Sequence, residues 1–505
     1  MNKVIRRVIG LIPAVLIQLL WLYALMRWLS PYAALINLLL SLFAVLYVLY
    51  IITNRNESTY KTLWLLVILG LPVFGTILYF CFGNKRTGRP IQRKLENGQA
   101  LLPAVGGTTP KTMLELGEHN PRLAQTFRYI EKKTGLPTHP CREVSYYPLG
   151  EKLLEQMLAD LETAERLIFA EYFIIENGVM WNSMVEIMAK KAAQGVDVRV
   201  MYDDMGSIST YSAQNLKQLR DKGIRCVRFN PLVFIKGTLN YRDHRKMLII
   251  DGRVAFSGGV NLADEYINAV EKFGHWKDIG FRLTGGPVQN YTRMFAEFWN
   301  AFSKDPVPAA ELAPPITPAA SSPFNGYVLS YYDSPLRPDA VSNNLYVELL
   351  SQATEYAWFY TPYLMLGDSL MDAFVRAAQR RVDVRIIMPG VPDKALVYRM
   401  SRSYYQPLLE AGVKIYEYTP GFVHAKGCVV DDKIGTIGTV NLDYRSLFLH
   451  FENNALFYQA PLLKDLKADF LSTQAQCKER TLDNIGVSFK KWVVDGVLRI
   501  FAPLC

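Results

Sequence analysis

The sequence predicts an α/β chain of two like halves carried behind an N-terminal hydrophobic segment, and three observations predict it. A five-letter pattern occurs twice, as His244, Lys246, Asp251, Gly258, Asn261 and again as His424, Lys426, Asp431, Gly438, Asn441. Five letters at roughly one in twenty each recur by chance about once in a million or more start positions, so the second copy marks a duplicated unit. Helical and strand patterns alternate in the same order ahead of both copies, as in an α/β fold. Finally, three apolar spans open the chain.

Those spans, at 8–26, 32–52 and 63–82, are each close to the roughly 20 residues that cross a bilayer as a helix. The stretch WLYALMRWLS lacks a small-residue cleavage site, so the first span reads as retained rather than as a signal peptide. If all three cross, the basic residues on the two sides nearly balance. If the first lies in the interface, only Arg55 and Lys61 oppose the basic clusters on the other side, and the positive-inside rule places the catalytic part in the cytoplasm. Residues 1–83 are thus the expected membrane segment. A basic, Gly-containing stretch at 84–110 reads as a linker near anionic headgroups, followed by a short helix at 122–133 that stops at Gly135 and Pro137. Together these make up an expected linker region, 84–140.

The first half is expected over 141–304, with helices at 151–163, 180–194 and 213–222 and strands at 166–175, 197–202 and 224–229. The second, over 326–505, repeats the order: helices at 345–354, 369–380 and 404–411, strands at 356–364, 383–388 and 413–418. Local echoes support the duplication, AAQGVDVRVM against AAQRRVDVRIIM among them. The loop before the first motif, 232–243, is longer than its counterpart at 421–423, and inserted loops at a catalytic edge commonly carry specificity. Between the halves, 305–325 is Pro-, Ala- and Ser-rich and reads as a semi-extended linker. A C-terminal helix at 487–501 carries an apolar stripe of Val487, Val494, Val497, Leu498 and Phe501. It either packs on the protein or rests on a bilayer, where Lys490, Lys491 and Arg499 would meet lipid phosphates.

Composition sets the class of partner. The 505 residues are 50% hydrophobic and carry a net charge of +10, which suits anionic lipid or nucleic acid without choosing between them. The six cysteines have no C-x-x-C spacing, so neither a disulfide framework nor a zinc site is signalled.

The repeated letters make sense as phosphate chemistry. Histidine is nucleophile or proton donor near neutral pH, lysine supplies a point charge, and asparagine adds a neutral donor. The apolar runs after Lys246 and Lys426 read as buried strands holding His and Lys on one face. His119, His139, His275 and His450 lack this context and read as packed or solvated residues.

The two H-x-K-x4-D motifs resemble those of the phospholipase D superfamily. Within it, GLPVFGTILYFCFGNK, NLDYRSLFLHFENN and the terminal APLC are similar to bacterial cardiolipin synthases. The resemblance covers nearly the whole chain. It implies N-terminal transmembrane helices followed by two phospholipase D-like α/β domains related by a pseudo-twofold axis, with one shared active site. His244, Lys246, Asp251, His424, Lys426 and Asp431 would form the catalytic set, with His244 as nucleophile and His424 as acid and base. Asn261 and Asn441 would hold phosphate, whereas Asp251 and Asp431 would support their loops. In the family an acidic residue some thirty positions after each His bonds its second ring nitrogen, which points to Asp278 for His244 and Glu452 for His424. No metal or other cofactor is expected. The implied reaction joins two phosphatidylglycerol molecules with release of glycerol, at a multi-pass bacterial cell membrane and on anionic lipid rather than nucleic acid. A phospholipase D-type hydrolase and a superfamily nuclease are the alternatives. The second copy has Gly438-Thr439 where the first has Gly258-Gly259, so the two phosphate shelves need not be equivalent.

Overall fold

A computed structural model describes residues 12–27, 32–54, 57–83, 88–104, 106–231, 240–312, 326–486 and 488–504. The expected order of elements is observed. The first half runs Gly150–Glu162, Leu167–Tyr172, Val179–Ala193, Asp197–Asp203, Ala213–Asp221 and Arg225–Phe229. Its repeat runs Val341–Gln352, Tyr356–Tyr360, Asp368–Gln379, Asp383–Pro389, Ala395–Ser403, Tyr405–Glu410 and Lys414–Tyr418. The helix expected at 404–411 is found as Tyr405–Glu410, and a further helix, Ala395–Ser403, precedes it. Pro407 has no N–H to offer Ser403 O, and that carbonyl instead accepts from the Arg499 guanidinium.

Each half builds one mixed sheet, and the seven-strand order is the same in both. The first is Val144–Tyr147, Gly280–Thr284, Val254–Gly258, Met247–Ile250, Leu167–Tyr172, Asp197–Asp203, Arg225–Phe229. The second is Tyr327–Asp333, His450–Tyr458, Ile434–Gly438, Gly427–Val430, Tyr356–Tyr360, Asp383–Pro389, Lys414–Tyr418, with His139–Pro140 and Cys477–Arg480 added at its edges. Alternation along the strands sends Phe169, Met201, Ile249 and Phe281 into a core shared with Ile386, Val429 and Phe457 of the other half. Ile168, Val200, Leu248 and Phe256 point to the opposite face, under the helices of the first half. Phe281 and Phe457 meet edge-on at 5.4 Å, across the seam between the sheets.

The linker expected at 84–110 contains a helix, Arg89–Ala100. Its buried Ile91, Leu95 and Gly98 fall on one face at spacings of four and three, and pack against the helix Pro287–Phe302. The approach is close: a Cβ on Gly98 would lie 2.6 Å from Glu297 O. The short helix is confirmed as Pro121–Thr134, ended by Gly135 at φ 73°. Of the loop before the first motif, residues 232–239 lie outside the described residues, as do 313–325 of the inter-half linker.

Among the described residues, no helix is long and apolar enough to cross a membrane. The backbone helix Ala33–Thr53 has 21 residues, and some of its side chains lie outside that description. The third span is not one helix. Ser58–Gly70 ends at Leu71, whose φ of −138° leaves the helical region, and a new helix Pro72–Leu78 starts with proline at its first position, running into a π turn at Tyr79–Gly83. The two helices close on each other so that a Cβ on Gly75 would sit 2.3 Å from Val67 O. This broken hairpin docks on the second half: the Tyr60 ring stacks on Tyr444 at 5.9 Å, and the Ser58 hydroxyl donates to Asp368.

The C-terminal helix is Phe489–Phe501, and Val487 lies outside the described residues. None of its residues is buried. Leu498 leans on the core, while Phe489 (80% exposed) and Trp492 (66%) point away from it. Lys491 Nζ donates to the carbonyls of Ile485 and Gly486, so Arg499 and Lys491 both serve the protein.

A buried ion pair ties the halves together. Lys277 Nζ of the first half lies 2.7 Å from Asp469 Oδ1 of the second, and the hydroxyls of Tyr146 and Tyr360 donate to the same carboxylate. Removing the cation strands a buried anion, which costs about 3–5 kcal/mol. Lys277→Ala should therefore lower the free energy of unfolding by about that amount in urea titration, and Lys277→Ala/Asp469→Leu should recover part of it.

Candidate active site

The two motif histidines come from different halves and line one cavity of about 490 Å³. Each His-x-Lys sits in the extended lead-in to its strand rather than within it, since the strands begin at Met247 and Gly427. Two short parallel bridges fix these lead-ins. Arg242 and Asp243 pair with His450 and Phe451, and His244 N donates to Phe451 O at 2.9 Å. Gly421, Phe422 and Val423 pair with His275, Trp276 and Lys277, and His424 N donates to Lys277 O at 2.7 Å.

Because each bridge joins one half's histidine segment to the other half's acid segment, the carboxylates are exchanged. His244 Nδ1 lies 2.9 Å from Glu452, and His424 Nδ1 lies 2.6 Å from Asp278. This corrects the pairing implied by sequence order, which matched each acid to the histidine of its own half. The Gly-Gly and Gly-Thr difference has a local cause. A Cβ on Gly259 would come within 2.0 Å of Asp278 Oδ1, so that position must be glycine. At the equivalent position Thr439 donates its hydroxyl to Glu452.

Electrostatics separates the two histidines. Burial first, then Lys246, His450 and Lys426, push His244 well below its ordinary range. Burial also pushes its partner Glu452 well up, against the pull of Lys246. With Nδ1 engaged by Glu452, Nε2 is the ring nitrogen left for the cavity. Burial and Lys426 push His424 down to about 4, against Asp278. Burial works to raise Asp278, but His424 and Lys426 outweigh it and hold that carboxyl below its ordinary value. His424 thus faces an ionised carboxylate, the better support for a protonated ring.

Lys246 and Lys426 are buried, each donating to the backbone carbonyl of its own histidine. Burial lowers Lys246 to about 8 and Lys426 to about 7. Asn261 and Asn441 both line the cavity. Asn261 Nδ2 donates to the Tyr266 hydroxyl at 2.7 Å, and Asn441 Nδ2 to Asp443 at 3.2 Å. Asp251 and Asp431 do not line it. Asp251 accepts the N–H groups of Glu165, Arg166 and Leu167. Asp431 accepts those of Thr354, Glu355 and Tyr356. Both sit at positive φ, 54° and 50°, stapling the turn after the motif strand to the start of its neighbour. Both carboxylates are thus engaged by backbone N–H groups.

Sequence reasoning passed over His450, Arg242 and Arg445, which line the cavity beside His244. The His450 ring lies 5.9 Å from that of His244. Aligning the strand registers would have found it: Gly280 pairs with Gly258 as Asn454 pairs with Gly438, so His450 occupies the place of Trp276.

A lysine with a lowered pKa holds its proton only below that value, so the empty site loses cationic charge as pH rises through 7 and 8. Calorimetric binding of tungstate, whose charge is constant there, should weaken at least about tenfold from pH 6.5 to 8.5. Lys426→Met should flatten that slope; a flat profile in the unaltered protein would disprove the assignment.

A family model described as "Cardiolipin synthase, PLD-like domain" matches residues 158–299 and 346–473, and a second, "Phospholipase_D-nuclease N-terminal", matches 39–84. The chain is 33% identical over 476 residues to a cardiolipin synthase of Geobacillus sp. (strain WCH70), covering 91% of this chain and 92% of the relative. It is 34% identical to the cardiolipin synthase of Alkalihalophilus pseudofirmus, covering 85% of each. An uncharacterised protein of Streptococcus mutans serotype c is 41% identical over 90% of this chain and 99% of its own. The phosphatidylserine synthase of Haemophilus influenzae Rd KW20 shares the fold, with a TM-score of 0.55 at 16% identity over 75% of this chain and 98% of that one. Two intact motifs in one cavity, the repeated sheet order and these matches together place the chain in the cardiolipin synthase family of PLD-like proteins.

Proposed function

We propose that the protein moves a phosphatidyl group from one phosphatidylglycerol to another, releasing glycerol, through a phosphohistidine. The observation that carries this reading is the pair of histidines facing one cavity, each oriented through Nδ1 by the carboxylate of the opposite half. His244 Nε2 attacks phosphorus, and His424 gives its proton to the departing glycerol oxygen. The same His424 then takes the proton of the incoming alcohol. Lys246, Lys426, Asn261 and Asn441 gather around the non-bridging oxygens, where negative charge concentrates. The phosphate's own charge offsets the two lysines and so raises both histidines toward working values.

Membrane residence is part of the same proposal. The 21-residue helix Ala33–Thr53 spans about 31 Å at 1.5 Å per residue, close to the roughly 30 Å of bilayer hydrocarbon. The broken hairpin that follows it carries exposed Leu66, Leu69 and Leu71 and packs beside the C-terminal helix, whose Phe489 and Trp492 suit the headgroup layer. In this reading the hairpin enters the leaflet without crossing it, and the catalytic halves stay in the cytoplasm.

Incubating the full chain with phosphatidylglycerol vesicles and separating the lipids tests the reaction: cardiolipin plus glycerol is expected, whereas phosphatidic acid as the main product would make it a hydrolase. His244→Ala and His424→Ala should each lower turnover by about 10³-fold or more. Mass spectrometry of His424→Ala after exposure to substrate should find the phosphatidyl group on His244. A lipid adduct on another residue would reassign the nucleophile.

A further inference from the structure

The pseudo-twofold is broken around the two histidines, and the break has a chemical sense. Where the first bridge pairs Arg242 with His450, the second pairs Phe422 with Trp276. Four residues after the motif asparagine stands Arg445 in one half and Glu265 in the other, both lining the cavity. His244 therefore adjoins Arg242, Arg445 and His450 as well as the Phe173 ring at 5.0 Å, whereas His424 is flanked, among the described residues, by three aromatic rings and no arginine. The rings of Tyr266, Trp276 and Phe422 lie 5.2, 5.5 and 6.0 Å from that of His424.

Beyond Phe422 the cavity lining is contributed by both halves. The rings of Phe273 and Tyr363 each lie 6.3 Å from that of Phe422. Lys272, next to Phe273, is held by Glu265 at 2.8 Å. Lys394 lies over the Tyr363 ring and 3.4 Å from Asp393, and the Tyr363 hydroxyl donates to Asp393 at 2.6 Å. All of these residues line the cavity. Two lysines and two carboxylates in one lining form a mixed set, in which ammonium groups meet an anion and carboxylates accept from hydroxyls.

We propose that Tyr266, Trp276 and Phe422, with Lys272 and Lys394 beyond them, form the acceptor subsite, which takes a glycerol hydroxyl carried on a second phosphodiester. The inference rests on the transferase reading, with His424 on the alcohol side. The lysines hold the acceptor's phosphodiester, Glu265 and Asp393 accept from its secondary hydroxyl, and the three rings pack along its carbons and exclude water. Its primary hydroxyl then lies against phosphorus. The O–H proton passes to His424 Nε2, the new O–P bond forms, and the P–N bond breaks with its electron pair returning to His244 Nε2. Water has neither the phosphodiester to be held nor the carbons to displace solvent, so the site favours transfer over hydrolysis.

The test uses full-length protein in phosphatidylglycerol vesicles and follows two reactions of one intermediate: cardiolipin formation, and exchange of labelled glycerol into phosphatidylglycerol. Exchange uses the same donor with an uncharged acceptor. The lysine side chains are 48% and 64% exposed, so Lys272→Gln/Lys394→Gln retains the fold. Its ratio of cardiolipin formation to exchange should fall about tenfold or more, with a larger share of phosphatidic acid. Lys272→Arg/Lys394→Arg should restore most of that ratio. A ratio within about twofold of the unaltered protein, or an equal fall in both reactions, would overturn the subsite. If the unaltered protein yields neither cardiolipin nor exchanged lipid, the transferase reading itself fails, a result distinct from either.

Discussion

The catalytic arrangement depends on the exchange of carboxylates between halves. An imidazole in a buried site is useful only if its tautomer and ring plane are fixed, and here neither half can fix its own. The two short parallel bridges that carry His244 toward Glu452 and His424 toward Asp278 are the same contacts that close the cavity. Separating the halves would leave two histidines without orienting partners and two carboxylates buried without charge compensation. The fold explains why such a chain holds one site rather than two.

Around that exchange the halves are alike in backbone and unlike in charge. A glycine at 259 admits Asp278 close to the chain, whereas Thr439 adds a hydroxyl to Glu452. The carboxyl that faces His424 is held ionised and the one that faces His244 is driven toward its neutral form. A symmetric backbone thus supplies two different imidazoles, as a reaction with one nucleophile and one proton donor requires. The same asymmetry extends outward, with Arg242, Arg445 and His450 beside His244 and three aromatic rings beside His424.

The apolar N-terminal segment is joined to this machinery rather than tethered to it. Tyr60 stacks on Tyr444, one residue from Asp443, whose carboxylate accepts from Asn441 at the cavity. The break at Leu71 and Pro72 turns the chain back so that Pro72–Leu78 packs on Ser58–Gly70, which itself meets the second half and the C-terminal helix.

The duplication, the order of helices and strands, the motif residues and the presence of an N-terminal apolar segment were legible in the residues themselves, because each is a local pattern. Asp251 and Asp431, expected in the catalytic set and as loop supports, accept backbone N–H groups at their turns, the usual role of a short carboxylate there. Three things were decided only in three dimensions. Which acid serves which histidine depends on bridges between residues 208 and 146 positions apart, and the repeat pattern is equally compatible with pairing inside each half. The place of His450 at the cavity arises from strand register, which sets it where Trp276 stands in the other half and has no signature in its neighbours along the chain. The helix within 84–110 and the broken third span were misjudged for one reason: hydropathy and charge report what a segment is made of, while the surface it meets decides whether it folds, turns or crosses.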